Sequence, residues 1–114
     1  MIIHEMKLQP KHYNYIIKGT KRIEFRLNDD KRKLIKIGDF IKFNKEPDLK
    51  DSFKVKVIDL LHYNSFDDLF KDFDIPILAD KSITKENLIH DLEKFYTKDK
   101  QLKYGVLGIR IELL

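Results

Sequence analysis

The stretch from Lys18 to Leu27 constrains the fold more than any other, because it predicts a helix end, a turn and a strand in direct succession. Gly19 after Lys18 is typical of a helix C-terminus, since glycine adopts the left-handed cap conformation at no steric cost. The residues that follow alternate between apolar and charged, with Ile23, Phe25 and Leu27 on one face and Arg22, Glu24 and Arg26 on the other. One face is therefore predicted to be buried, and the other presents two cations around a carboxylate.

The charged face of this predicted strand is the candidate functional site. Lys21, Arg22, Glu24 and Arg26 crowd together beside Gly19, which lets a ligand approach the backbone closely. Arginine offers a rigid fork of donors and glutamate an acceptor, so the cluster suits an anionic or planar polar ligand. A solvated charged face on a half-exposed strand is the ordinary alternative. Strict alternation places the side chains of Lys21 and Glu24 on opposite faces of the strand. If both serve one site, Lys21 must therefore project from the turn or from a bulge.

The length and composition of the chain predict one domain, residues 1–114, with a single core of normal size. Cysteine is absent, which excludes disulfides and thiolate chemistry and fits a reducing cytoplasm. The N-terminus shows no basic region before a long apolar run, and no run of about eighteen apolar residues occurs. We therefore expect a soluble cytoplasmic protein that has no contact with a membrane.

The basic charge lies in the half of the chain that contains the candidate site. Residues 1–64 hold 15 basic and 9 acidic residues, whereas residues 65–114 hold 8 and 10. Lys31 and Arg32, in the charged connection after the predicted strand, could grip phosphates, although charges in a loop are usually only solvated. This asymmetry points modestly toward a polyanionic partner.

Hydrophobic periodicity predicts alternating elements along the rest of the chain. The predicted helices follow Pro10, Ser65 and Thr84, where a proline at the first position or a capping hydroxyl marks each start. The predicted strands cover residues 2–8, 22–27, 40–43, 53–61 and 104–113. The count is thus five to six strands and about three helices, with no repeat or linker that would divide the chain.

Several kinds of site are excluded by residue type and spacing. Zinc ligation is not expected, because cysteine is absent and the four histidines lack the spacing of a helical ligand pair. The four glycines form no phosphate-binding loop, and no serine lies in a nucleophile elbow. We therefore predict no metal and no cofactor, and the charged strand remains the candidate.

Gly19, Lys21, Glu24 and Arg26 match every fixed position of a G-x-K-x-x-E-x-R pattern, and with it the chain resembles an ASCH domain of the PUA-like superfamily. The resemblance continues through the Ile37-Gly38-Asp39 turn and the closing strand around residues 105–109, so it covers essentially the whole chain. It implies an α+β fold, a small and mostly antiparallel PUA-like β-barrel of five to six strands with about three helices packed around a cleft.

The resemblance also implies binding of RNA or a nucleotide-like ligand, with the motif residues lining the cleft. Lys21 and Arg26 would supply donors, while Glu24 would accept from a base edge or orient Lys21. Gly19, Arg22, Lys31 and Arg32 complete the set of residues expected to contact the ligand.

Two alternatives stay open. One branch of this family hydrolyses the amide of N4-acetylcytidine with a lysine, a threonine and a glutamate. Lys21 matches the lysine, Glu24 occupies the threonine position, and Asp80 matches the late carboxylate only loosely. The other alternative is a protein-interaction or regulatory module whose basic face binds an acidic partner. The sequence does not decide which RNA or nucleoside is bound, or the oligomeric state.

Overall fold

The computed structural model describes residues 1–114 as five strands and five α-helices. The strands are β1 (Ile3–Leu8), β2 (Ile23–Leu27), β3 (Phe40–Lys45), β4 (Ser52–Tyr63) and β5 (Val106–Leu113). The helices are α1 (Pro10–Ile17), α2 (Phe66–Lys71), α3 (Ile75–Leu78), α4 (Lys85–Glu93) and α5 (Lys98–Tyr104), and a short 3₁₀ helix covers Arg32–Leu34. None of the helices combines the length and the apolar character needed to cross a membrane.

The five strands form one sheet in the order β1-β3-β4-β5-β2, with only the β1–β3 pair parallel. The predicted α+β, mostly antiparallel architecture is therefore confirmed. The sheet curls into a half-barrel, because a register shift between Val57 and Asp59 bends β4 and the edge strands β1 and β2 do not pair with each other. A side chain links these two edges instead: Arg26 Nη2 donates to Lys7 O at 2.7 Å.

Two apolar clusters hold the sheet and helices together. One cluster packs α1 against the β1, β3 and β4 strands through Tyr13, Ile16 and Phe43. The other packs β2 against α2, α3 and α4, and all three apolar side chains of β2 lie in it: Ile23, Phe25 and Leu27. The buried apolar face predicted for this strand is confirmed, so β2 has a fixed register that decides where its charged side chains point.

Three helices were predicted at positions that the structure assigns to α1, α2 and α4, while α3 and α5 were not predicted. Helix α3 has four residues and carries Pro76 in its first turn, so its sequence was interpreted as a connection between helices. Helix α5 is capped by Thr97 and buries only Gln101, and it therefore lacks an apolar stripe. The Gln101 amide instead accepts from Phe66 N at 3.0 Å and donates to Tyr96 O at 2.9 Å. Gln101 thus holds α5 in place through hydrogen bonds rather than apolar packing, and hydrophobic periodicity does not reveal a helix of this kind.

Candidate functional site

The segment between α1 and β2 turns Lys21 toward the interior. Gly19 has φ of 88°, the left-handed conformation that ends α1. The Thr20 hydroxyl donates to Ala79 O at 2.9 Å, and Arg22 N donates to Ile77 O at 2.8 Å, so the turn is fixed against α3. Lys21 precedes β2 and is not bound by the alternation of the strand. Its side chain therefore reaches Glu24 from the turn.

Lys21, Glu24 and Arg26 form a buried ion network. Lys21 Nζ lies 2.9 Å from Glu24 Oε1, which also accepts from Phe25 N at 3.1 Å. Glu24 Oε2 accepts from Arg26 Nε at 3.1 Å and from Arg26 Nη2 at 2.9 Å. The exposed fractions of the three side chains are 0% for Lys21, 3% for Glu24 and 13% for Arg26. Glu24 and Arg26 are therefore not solvated, and the ordinary alternative of a solvated charged face does not hold for these two residues.

His12 completes this arrangement, which we call the floor network: His12, Lys21, Glu24 and Arg26. Lys21 Nζ lies 2.9 Å from His12 Nδ1 and 3.9 Å from the centroid of the Phe25 ring. The three N–H groups of the ammonium are thus matched by Glu24, His12 and the face of Phe25. From its position outside the apolar stripe of Tyr13, Ile16 and Ile17, His12 could line a site or lie at the surface, and the sequence favours the surface. The one available signal was its spacing of three residues from Tyr15, whose ring it contacts edge-on at 5.6 Å.

Burial and mutual charge set the protonation of the floor network. Burial, reinforced by Lys21, lowers the pKa of His12 to about 3, so the imidazole is neutral. Burial alone would raise the pKa of Glu24, but Lys21 and Arg26 outweigh it and hold that pKa well below its usual value. Burial lowers the pKa of Lys21 against the opposing effect of Glu24. The ionised Glu24 carboxylate thus lies between the Lys21 and Arg26 side chains, which hold its negative charge.

Acid is expected to destabilise the protein through His12. The unfolded chain protonates this histidine near its ordinary pKa of 6.5, whereas the folded chain does so only near 3. Between these values the unfolded state binds more protons, so the free energy of unfolding falls as pH falls, by up to about 1.4 kcal/mol per pH unit. Urea denaturation between pH 7.5 and 4.5 measures this slope. His12→Asn should flatten it, the exposed control His62→Asn should not, and equal slopes for both variants would contradict the expectation.

The floor network lies at the bottom of a cavity of about 380 Å³ between α1, β2 and the segment from residue 83 to residue 96. Its wall is apolar and aromatic where Leu88, Leu92, Phe95 and Tyr96 face it. Phe95 is 59% exposed, an unusual value for a large aromatic side chain, so its ring is available to a ligand. Lys7 and Lys11 line the cavity and are exposed, which places two further cations at the rim. The cavity thus offers an aromatic surface and donors below, and its lining also includes the carboxylates of Glu46 and Asp91 beside the two lysines.

The structure does not bring all of the predicted residues to this cavity. Arg22 is exposed, and Gly19 serves the turn. Lys31 and Arg32 lie at the 3₁₀ helix, where Arg32 Nη1 lies 3.7 Å from the Asp29 carboxylate. Neither side chain lines the cavity. The prediction rested on the local density of charge in the sequence, which does not indicate which face of the sheet a loop reaches.

Asp80 is also outside the cavity lining. Its carboxylate accepts from Ser82 N at 2.9 Å and lies 3.1 Å from Lys18 Nζ. Both partners belong to its own loop or to the end of α1, so the residue holds the turn in place. The loose match to the hydrolytic set would require Asp80 to lie beside Lys21 and Glu24. In the structure Asp80 lies outside the cavity that these two residues line.

The chain matches one protein family and is similar to solved structures over nearly its whole length. Residues 6–114 match a family model described as the ASCH domain. The crystal structure of the hypothetical protein PH0355 is 35% identical, with 99% of this chain and 100% of that chain covered and a TM-score of 0.87. The solution structure of PF0455 from Pyrococcus furiosus is also 35% identical, covering 99% of this chain and 98% of that one at a TM-score of 0.78.

A more distant similarity concerns the fold alone. The crystal structure of ASCH from Zymomonas mobilis shares 11% identity and has a TM-score of 0.67, with 96% of this chain and 66% of that chain covered. A comparison with curated protein sequences found no match. The half-barrel and its packed helices are therefore shared across sequences that have little else in common.

Proposed function

Because this chain belongs to the ASCH domain family, we propose that it binds RNA or a nucleotide ligand and holds one base in the cavity above the floor network. The observation that carries the proposal is the burial of three charged side chains at the bottom of an open cavity. Buried ion networks contribute little net stability compared with apolar residues of equal volume. A role in recognition explains why this one lies beneath a cavity.

The cavity has the size and lining of a base-binding site. A volume of about 380 Å³ falls within the range of small-molecule pockets, about 300 to 1,000 Å³. Proteins that read single-stranded RNA stack unpaired bases on aromatic side chains and bind their edges with polar groups. Phe95 and Tyr96 supply the aromatic rings, and the floor network supplies the polar groups. The arrangement therefore fits a base that enters edge-first.

Lys7 and Lys11 provide the contacts expected for the phosphates of the same nucleotide. Both lysines are exposed at the rim, so their ammonium groups reach the backbone of a nucleic acid whose base is inside. Phosphate contacts of this kind depend on salt, because each one releases a counterion.

We expect the double variant Lys7→Ala/Lys11→Ala to weaken binding of a single-stranded RNA and to reduce its dependence on salt. Each lost phosphate contact lowers the slope of log affinity against log salt by about 0.7 for a single strand, so the pair should lower it by about 1.4. Fluorescence anisotropy with a labelled RNA octamer from 50 to 300 mM salt measures the slope. Lys54→Ala/Lys56→Ala, on the exposed face of β4, removes the same charge away from the cavity and should leave the slope unchanged.

Three results discriminate among the functions considered. Equal losses in the two double variants would mean that RNA contacts the protein nonspecifically, away from the cavity. Absence of RNA and nucleotide binding even at 50 mM salt would overturn the proposal and favour a protein-interaction module. Release of cytidine from N4-acetylcytidine would indicate the hydrolytic alternative, but the inaccessible Lys21 side chain, with its N–H groups already matched, favours binding over attack.

A further inference from the structure

We propose that His12 is a ligand-binding residue, and that the floor network presents only hydrogen-bond donors, so the ligand must offer adjacent acceptor atoms. This inference rests on the proposed function, since it specifies the chemistry of the base that the cavity holds. It assigns a role to a histidine outside the G-x-K-x-x-E-x-R pattern. It also changes the role of Glu24 from a ligand acceptor to an internal partner.

The contact with Lys21 fixes the tautomer of His12. The ammonium group can only donate, so Nδ1 must accept, and a neutral imidazole then carries its hydrogen on Nε2. Nε2 makes no hydrogen bond within the protein, and the ring lines the cavity. Edge-on contacts with Tyr15 at 5.6 Å and Phe25 at 5.9 Å hold the ring plane. His12 therefore presents one N–H donor in a defined orientation.

Glu24 and Lys21 have no capacity left for a ligand. The carboxylate already accepts four hydrogen bonds, two on each oxygen. The ammonium is matched by Glu24, His12 and the Phe25 ring. Arg26 uses Nε and Nη2 for Glu24 and Lys7 O, and the Tyr96 hydroxyl lies within hydrogen-bonding reach of its guanidinium group. The groups of the floor network that remain for a ligand are thus donors: His12 Nε2 and the N–H edge of Arg26 beside Tyr96.

A donor-only surface selects among the bases. Guanine presents O6 beside N7, and cytosine presents O2 beside N3, so each offers two neighbouring acceptors on one edge. Adenine carries its amino group next to both N1 and N7, and uracil has an N–H between its two carbonyls. An amino or imino donor opposite His12 and Arg26 leaves buried donors unpaired, which costs affinity. Guanine and cytosine are therefore the favoured bases.

The tautomer can be tested without any ligand. Long-range ¹H–¹⁵N NMR spectra of the ¹⁵N-labelled protein distinguish a protonated from an unprotonated ring nitrogen for each histidine. We expect His12 to be neutral with its hydrogen on Nε2 throughout pH 5 to 8. A hydrogen on Nδ1, or a titration of His12 within this range, would overturn the inference whatever the protein binds.

The ligand preference is tested by calorimetry with CMP, GMP, AMP and UMP. We expect CMP or GMP to bind at least about tenfold more tightly than AMP and UMP, the discrimination that a well-paired base edge provides. His12→Asn keeps an acceptor for Lys21 but has no donor at the Nε2 position, so it should lose about tenfold for the preferred nucleotide and reduce the preference. His62→Asn, on the exposed part of β4, is the matched control.

The outcomes separate the two proposals. Binding of all four nucleotides with similar affinity by the wild-type protein contradicts the donor-only surface while leaving nucleotide binding intact. Absence of binding by any of the four, together with absence of RNA binding, overturns the proposed function itself. The wild-type comparison decides the question even if His12→Asn fails to fold.

Discussion

Replacement of Glu24 by glutamine is expected to destabilise the fold by about 3–5 kcal/mol, the cost of leaving buried charges uncompensated. The carboxylate is 3% exposed and lies between Lys21 and Arg26. An amide removes the negative charge, so two buried cations remain with no counter-charge. Its nitrogen is also a donor that faces other donors, because four N–H groups converge on the two carboxylate oxygens. Urea denaturation monitored by circular dichroism at pH 7 measures the loss.

Two control variants show whether charge is the cause. Lys21→Met conserves volume and leaves Glu24 paired with Arg26, a neutral pair, so the expected loss is smaller than for Glu24→Gln. Glu86→Gln changes an exposed glutamate on α4 and should alter the free energy of unfolding by no more than about 0.5 kcal/mol. Equal losses for Glu24→Gln and Lys21→Met would contradict the charge argument and point to packing alone.

The same residues show what the sequence could and could not predict. Local rules were sufficient for β2, because alternation and a glycine stop signal depend on neighbours in the chain. They also predicted that Lys21 projects from the turn or from a bulge if it shares a site with Glu24, and the structure places it in the segment before β2. The α+β architecture followed from the same periodicity and from the resemblance of the motif.

The burial of the charged face was beyond local rules. Its cover comes from α1 and from the segment around α4, whose residues are about 10 and about 60 to 70 positions away from Glu24 in the chain. Alternation states that one face is polar but says nothing about a helix that packs over it. His12 was expected at the surface rather than at the site for the same reason, since one histidine beside an apolar stripe looks the same whether it meets solvent or a lysine from another element.

Charge density was also a poor guide to position. Arg22, Lys31 and Arg32 were grouped with the site because they lie near it in sequence, yet none of them lines the cavity. The cations that do line it at the rim, Lys7 and Lys11, come from β1 and α1. The strand order explains the contribution of β1, because β1 and β2 are the two edges of a curled sheet and Arg26 Nη2 donates to Lys7 O between them.

Arg26→Met is expected to weaken nucleotide binding by about 10- to 100-fold, whereas Lys21→Met should weaken it only about twofold. Each variant removes one cation and leaves a neutral pair around Glu24, so the two are matched in charge and differ in what they present to the ligand. Arg26 loses a charge-assisted donor, worth about 1.5–3 kcal/mol. Lys21 contacts no ligand, but without it His12 populates both tautomers, and halving the competent fraction halves the affinity. Calorimetry with CMP and GMP measures both losses.

The opposite order would reassign the site. A greater loss for Lys21→Met than for Arg26→Met would mean that the ammonium reaches the ligand, which requires it to leave Glu24 and His12. Incubation of both variants and the wild-type protein with N4-acetylcytidine then separates binding from catalysis. Cytidine released by the wild type and abolished by Lys21→Met would identify Lys21 as a catalytic residue. We expect no release of cytidine by any of the three proteins, and we expect Arg26→Met to be the weakest binder. This is the result for a base-binding domain in which Lys21 and Glu24 hold His12 and Arg26 in place.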